Sequence, residues 1–124
     1  MDRCFFNEKG VNKQMVFRAE NRDGKLTVYL SGELDHHGAG KLRDEVDMAI
    51  ERAKPNELVL DFADIHFMDS SGIGFVMGRY RLMVSLGGNV RVTGLSERME
   101  RVMRLAGLDR LHILPEQKKG VTKR

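Results

Sequence analysis

Tryptophan is missing from this sequence, and cysteine occurs once and proline twice in 124 residues. The lone Cys4 cannot close an internal disulfide, so the fold must stand on its apolar core rather than on covalent staples. No Cys or His pair stands at zinc-ligand spacing, and neither a metal nor a cofactor is expected. No apolar run approaches the roughly 20 residues that cross a bilayer. The N-terminal stretch is polar and lacks the apolar segment of a secretory signal. The expected compartment is therefore a reducing cytoplasm, with no membrane contact.

Charge of one sign is also scarce. Lys and Arg total 21 against 18 Asp and Glu, a net charge of +3. Lys118, Lys119, Lys123 and Arg124 carry much of the excess, and no aromatic residues interleave with them. A solvated basic tail over 116–124 is expected, not a nucleic-acid reader. The rest, 1–115, has the length of one domain. At 41% hydrophobic and 31% charged residues it has the composition of an ordinary folded chain. A monomer is expected when free.

Periodicity orders the elements. Residues 13–20 and 25–31 alternate apolar and polar around the turn Asn21-Arg22-Asp23-Gly24, which predicts a β-hairpin. Gly32-Glu33-Leu34-Asp35-His36-His37 reads as a connection. Ala39, Leu42, Val46, Ala49 and Ala53 then recur at helical steps, and Pro55 lies just beyond. Residues 57–63 form a strand, and a short linker leads to Phe67. A second helix runs to about Leu86 and stops at Gly87-Gly88. Residues 89–93 form another strand. Ser96 caps a third helix with Met99, Val102, Met103 and Ala106 on its apolar face, ended by Gly107. His112-Ile113-Leu114 is a candidate last edge strand. The order β-β-α-β-α-β-α-(β) is α/β, a mixed sheet of four or five strands with flanking helices.

Chemistry concentrates in Asp69-Ser70-Ser71-Gly72-Ile73-Gly74, where a strand hands over to a helix. Asp69 and Ser70 are placed to cap that helix. On a helical wheel, Ile73, Val76, Met77, Tyr80 and Val84 fall on one side. Ser71, Gly74, Phe75, Gly78 and Leu82 fall on the other. Glycine is disfavoured inside helices, so Gly74 and Gly78 suggest that something packs close. Either another helix of the same domain or a partner protein would account for them. A phosphate on Ser71 would bring about −1.5 to −2 charges to a helix N-terminus, which tolerates anions, while burdening any partner surface placed there.

Phe67-Met68-Asp69-Ser70-Ser71-Gly72-Ile73-Gly74, followed by Gly78-Arg79-Tyr80, closely resembles the phosphorylation segment of the STAS-domain anti-sigma factor antagonists, most of all those of sporulation. Gly32 to His37 resembles a second segment of that family, and the similarity runs from about residue 14 to 115. The resemblance implies a STAS fold and a non-enzymatic role. It implies a partner that is both anti-sigma factor and serine kinase. The unphosphorylated antagonist binds this partner and frees the sigma factor, phosphorylation of Ser71 ends the binding, and a serine phosphatase resets it. Asp35, His36, Asp69, Ser70, Gly72, Gly74 and Arg79 are the expected partner-binding residues, with Gly72 and Gly74 allowing the kinase close. Members usually carry a further helix after the last strand, and this chain has little apolar sequence there.

Other readings compete. Ser71, His36 or His66, and Asp35 or Asp69 supply the residue types of a serine hydrolase, although no Gly-x-Ser-x-Gly accompanies them. Gly72, Gly74 and Gly78 suggest nucleotide binding only weakly, since neither a dinucleotide fingerprint nor a P-loop is present. A small-ligand domain or a stress-signalling scaffold on the same fold is the remaining alternative. His36 and His37 are adjacent and point apart, a poor metal pair. Met77, Met99 and Met103 fall at core-filling positions.

Overall fold

The computed structural model describes residues 2–5, by their backbone, and residues 16–115. Residues 13–15 of the predicted first strand, the Cys4 side chain and the tail over 116–124 lie outside the described residues. Strand β1 (Asp2–Phe5) pairs antiparallel with β2 (Val16–Arg22), and β2 pairs antiparallel with β3 (Lys25–Leu34). Strand β4 (Glu57–Met68) lies parallel to β3, and β5 (Asn89–Thr93) lies parallel to β4. The spatial order is the chain order, β1-β2-β3-β4-β5. Sequence reading missed β1, because four residues are too few to show a period and only their pairing with β2 makes them a strand.

The β2–β3 turn forms where expected. Asp23 and Gly24 take φ of 53° and 80°, the left-handed conformations of a two-residue hairpin. The Gly24 carbonyl also accepts from the amides of Asn56 and Glu57, tying the turn to the start of β4.

Helices α1 (His36–Ala53) and α2 (Ser71–Ser85) are the crossovers between the parallel strands. Both step the same way across the sheet, and right-handed crossovers then place them on one face. That face holds the core. Phe17, Ala19, Leu26, Val28, Leu30, Leu58, Leu60, Val90 and Val92 are buried, and register sets them in rows across four strands. Helix α1 closes over them with Leu42, Val46 and Ile50, the buried stripe falling one residue from the predicted Ala49. The opposite face is largely polar, with Val59 and Phe67 as its apolar members, and several of its side chains pair with one another. Arg18 stacks on Tyr29, Tyr29 donates to Glu20, and Thr93 donates to Asp61.

Two expected connections are shorter than predicted. Gly32 to Leu34 belong to β3 and His36 opens α1, so Asp35 alone joins them. The linker expected after residue 63 is strand as well, since β4 runs on to Met68. Its pattern was hidden by two irregularities. Tyr29 pairs with Asp61 but Ser31 with Asp64, and Gly32 pairs with Ile65 but Glu33 with Phe67. Each step inserts one extra residue on β4, a β-bulge, and resets which side chains face inward.

Helix α3 (Glu97–Leu105) starts at Ser96, whose side chain accepts from the Met99 amide at 3.1 Å. Met103 is its buried residue, whereas Val102 is exposed, contrary to the predicted apolar face. A short 3-10 turn over Leu108–Leu111 follows. No last strand forms at 112–114 because His112 takes a φ of 61° and breaks extended geometry. The Ile113 carbonyl still accepts from the Val92 amide at 2.8 Å, so this segment screens part of the open edge of β5.

Candidate functional site

Strands β3 and β4 end side by side, joined by a bond from the Asp69 amide to the Leu34 carbonyl at 3.2 Å. Helices α1 and α2 therefore begin at the same end of the sheet, the carboxyl end of its parallel strands. Ligand and partner sites of α/β folds gather there. Asp35 caps α1, its Oδ1 accepting from the Gly38 amide at 2.9 Å. Asp69 performs the matching task for α2, its Oδ1 accepting from the Ser71 amide at 2.8 Å. Ser70 was expected to cap as well and does not. It occupies the cap position with φ −64° and ψ −15°, already helical, and its side chain makes no cap bond. Capping side chains reach back from extended backbone, which leaves Ser70 exposed to solvent. Ser71 is the first helical residue and is half-buried.

The inward face of α2 differs from the wheel prediction. Its buried residues are Gly72, Phe75, Val76, Arg79 and Met83, while Val84 is exposed. Of the predicted apolar side, Ile73, Met77 and Tyr80 are half-buried against the core, but the most buried positions of α2 include a glycine and an arginine. Gly72 fits because the helix start is pressed against the sheet. A Cβ there would meet Met68 Sδ at 2.5 Å and Leu34 Cδ2 at 3.3 Å. Gly72 therefore serves internal packing and not the approach of a kinase. Gly74 and Gly78 behave differently, since a Cβ at either would meet nothing within 4 Å. No helix of the described residues packs on that strip. Phe75 and Leu82 of the same wheel side do pack into the domain, but at the two glycines no neighbour among the described residues accounts for the missing side chains.

Arg79 corrects a second expectation. It is 5% exposed and is spent within the chain. Its Nη1 donates to the Phe75 carbonyl at 3.1 Å, and its Nη2 donates to Asp47 Oδ2 at 3.3 Å. Its Nε lies 2.7 Å from Asp47 Oδ1, an ionic contact off the N–H axis and so not a hydrogen bond. The guanidinium also lies over the Phe75 ring. Burial pushes the Asp47 carboxyl above its ordinary value, with Arg79 pulling against that shift. Desolvation lowers the Arg79 pKa, and the Asp47 charge opposes it. Sequence reading passed over Asp47. The available signal was a carboxylate beside Val46 and three residues before Ile50, at the margin of the apolar stripe of α1.

His36 and His37 are exposed at the start of α1, their rings edge to face with centroids 5.9 Å apart. His66 is exposed on β4. Among the described residues no hydrogen bond links a histidine to Ser71, and no three His, Cys, Asp or Glu side chains cluster as a metal site. The end of the sheet thus gathers Asp35, His36, Asp69, Ser70, Ser71 and Gly74, and leaves Gly72 and Arg79 inside.

A model of the STAS domain matches residues 16–118 of the chain. The anti-sigma F factor antagonist of Paenibacillus polymyxa is 40% identical over 89 residues, covering 72% of this chain and 76% of that protein. The anti-sigma-B factor antagonist of Bacillus subtilis is 28% identical over 103 residues, covering 82% and 93%. Among solved structures, unphosphorylated SpoIIAA, an anti-sigma factor antagonist, superposes with a TM-score of 0.69 at 28% identity, over 84% of this chain and 90% of its own. Phosphorylated SpoIIAA, a Bacillus cell fate determinant, gives 0.64 at 28% identity, over 84% and 93%.

Proposed function

The chain belongs to the STAS-domain family, and we propose that it acts as an anti-sigma factor antagonist switched off by phosphorylation of Ser71. The unphosphorylated protein binds an anti-sigma factor that is also a serine kinase, and the sigma factor is released. In the switching step the γ-phosphoryl of ATP passes to Ser71 Oγ. An O–P bond forms, ADP departs, and the hydroxyl proton leaves to a base on the kinase. A serine phosphatase restores the hydroxyl. The role is regulatory binding, exercised by a free monomer in the cytoplasm. Among the described residues no helix is long and apolar enough to cross a membrane.

One observation carries the reading: a half-buried serine opens α2 beneath a strip, Gly74 and Gly78, over which nothing among the described residues packs. A partner can lie flat against that strip and bring its own backbone close. Phosphate at Ser71 keeps the favour of the helix N-terminus, so the fold survives. The Asp69 carboxylate is already held against the Ser71 amide. A partner seated there would thus meet both the carboxylate and the phosphate, and like charges at an interface cost several kcal/mol. Asp35 and the exposed His36 lie at the neighbouring helix start and supply polar contacts to the same surface.

The relatives favour a sporulation-type partner, since identity to an anti-sigma F factor antagonist, at 40%, exceeds that to an anti-sigma-B factor antagonist, at 28%. Incubation with the cognate anti-sigma kinase and ATP, followed by intact mass and phosphopeptide mapping, tests the switch. A single phosphate on Ser71, absent from Ser71→Ala, is expected. Phosphate elsewhere, or none, would overturn it. Tighter binding to a stress-response kinase than to a sporulation kinase would reassign the pathway.

A further inference from the structure

Strand β3 keeps a two-residue spacing even through Gly32, whose φ is 110°, and its inward residues Leu26, Val28, Leu30 and Leu34 are all buried. Its neighbour β4 does not keep step. The inward residues of β4 are Leu58, Leu60, Phe62, Ile65 and Met68, set by their pairing with the inward row of β3. The spacing changes from two to three because each bulge adds a residue. The second extra residue is His66, between Ile65 paired with Gly32 and Phe67 paired with Glu33. Were His66 paired with Glu33 instead of bulged, period-two alternation would send Phe67 inward to the place that Met68 fills. With it, Met68 turns in against Gly72, and Phe67 stands in the outward row with Glu33, 48% exposed.

A bulge that re-aims a side chain beside a site is a recurrent device of sheets. Here it sends out a phenyl ring that ordinary pairing would have buried. The other large apolar side chains exposed among the described residues, Met48, Val84, Leu86, Val102 and Leu105, stand along α1, in or after the last turn of α2, and on α3. Phe67 is the one at the strand end that carries Asp69 and Ser71. Four residues of chain span at most about 14 Å. A standard interface of about 800 Å² per partner has a radius of about 16 Å, so a partner that wraps the end of the sheet can reach both Phe67, on the outward face, and Ser71, at the start of α2. Aromatic side chains are over-represented among the few residues that dominate such interfaces.

We infer that Phe67 is an apolar anchor for the anti-sigma partner, a specificity-determining contact that the β4 bulge at His66 holds outward beside the phosphorylatable serine. The inference rests on the reading of the chain as an anti-sigma factor antagonist. It calls for a partner with an apolar pocket next to the groove that receives Ser71. Phe67 fixes where the partner seats, while Ser71 decides whether it stays.

The full chain, its Phe67→Ala and Phe67→Leu variants and a Leu105→Ala control are titrated against the cognate anti-sigma kinase by calorimetry, and Ser71 phosphorylation rates are measured over a range of antagonist concentrations. Phe67→Ala is expected to bind about ten- to a hundredfold more weakly. Its KM as a kinase substrate should rise while kcat and melting temperature hold. Phe67→Leu should recover most of the affinity, and Leu105→Ala should match the wild type. Wild-type affinity in Phe67→Ala, or an equal loss in Leu105→Ala, would overturn the anchor and leave the antagonist reading standing. A wild-type chain that neither binds the kinase nor takes phosphate on Ser71 would overturn the antagonist reading and the anchor with it.

Discussion

The two faces of α2 use glycine for opposite ends. Gly72 on the inner face is glycine because there is no room for a methyl group against Met68 and Leu34. Gly74 and Gly78 on the outer face have room for at least a methyl group. The inner face is completed by a buried ion pair that links α2 to α1. The outer face is completed by nothing in the described chain. Inner-face residues should therefore act on stability and outer-face residues on partner binding, and substitutions can separate the two.

The largest effect on stability is expected from Asp47→Ala. It strands the Arg79 guanidinium, whose side chain is 6% exposed, without its counter-charge. Removing one member of a buried pair costs about 3–5 kcal/mol, and the partial exposure of Asp47 favours the lower figure. Urea unfolding should show the loss, and Asp47→Leu combined with Arg79→Met should recover most of it. A loss below about 0.5 kcal/mol would mean that the pair does not hold the helices together.

On the outer face, Ser71→Asp should weaken binding to the anti-sigma kinase about tenfold or more through charge at the interface, with the melting temperature nearly unchanged. Undiminished affinity would separate Ser71 from the switch. Gly72→Ala should cost about 1–3 kcal/mol, softened if the flexible Met68 side chain gives way. Gly74→Ala should instead stabilise the fold by roughly 0.5–1 kcal/mol, because the helix gains a better former where nothing clashes. The opposite ranking of these two variants in thermal melts would invert the assignment of the faces.

The smallest effect concerns pH. Burial raises the folded-state pKa of Asp47, so the folded protein holds this proton to higher pH than the unfolded chain does. The resulting stability is fully present below the ordinary carboxylate value and is lost as pH rises through the folded one. Wild-type stability relative to Asp47→Asn should thus increase modestly on acidification through that window. A relative decrease would show that attraction to Arg79 outweighs desolvation.

Much of the site was legible because helix starts are local. Asp69, Ser71, Gly72 and Gly74 lie within six consecutive residues, and the capping bonds of Asp35 and Asp69 span two or three residues. The hairpin was legible for the same reason, through Asp23 and Gly24. The capping role expected of Ser70 failed because it depends on one backbone angle pair, which composition does not encode. The extension of β4 past residue 63 was obscured because its inward spacing of three imitates a helix.

The alternation of strand and helix, the hairpin, the family resemblance and the place of Ser71 at a helix start could all be read from residues close together in the chain. These rest on periods and hydrogen bonds that close within a few residues. Long-range packing sets the burial of Arg79, the inward turn of Gly72 against the outward turn of Gly74, and the exposure of Phe67. Each of those depends on a partner more than 30 positions away, Asp47 for Arg79, Leu34 for Gly72 and Glu33 for Phe67, and no local pattern can state which distant surface a side chain will meet.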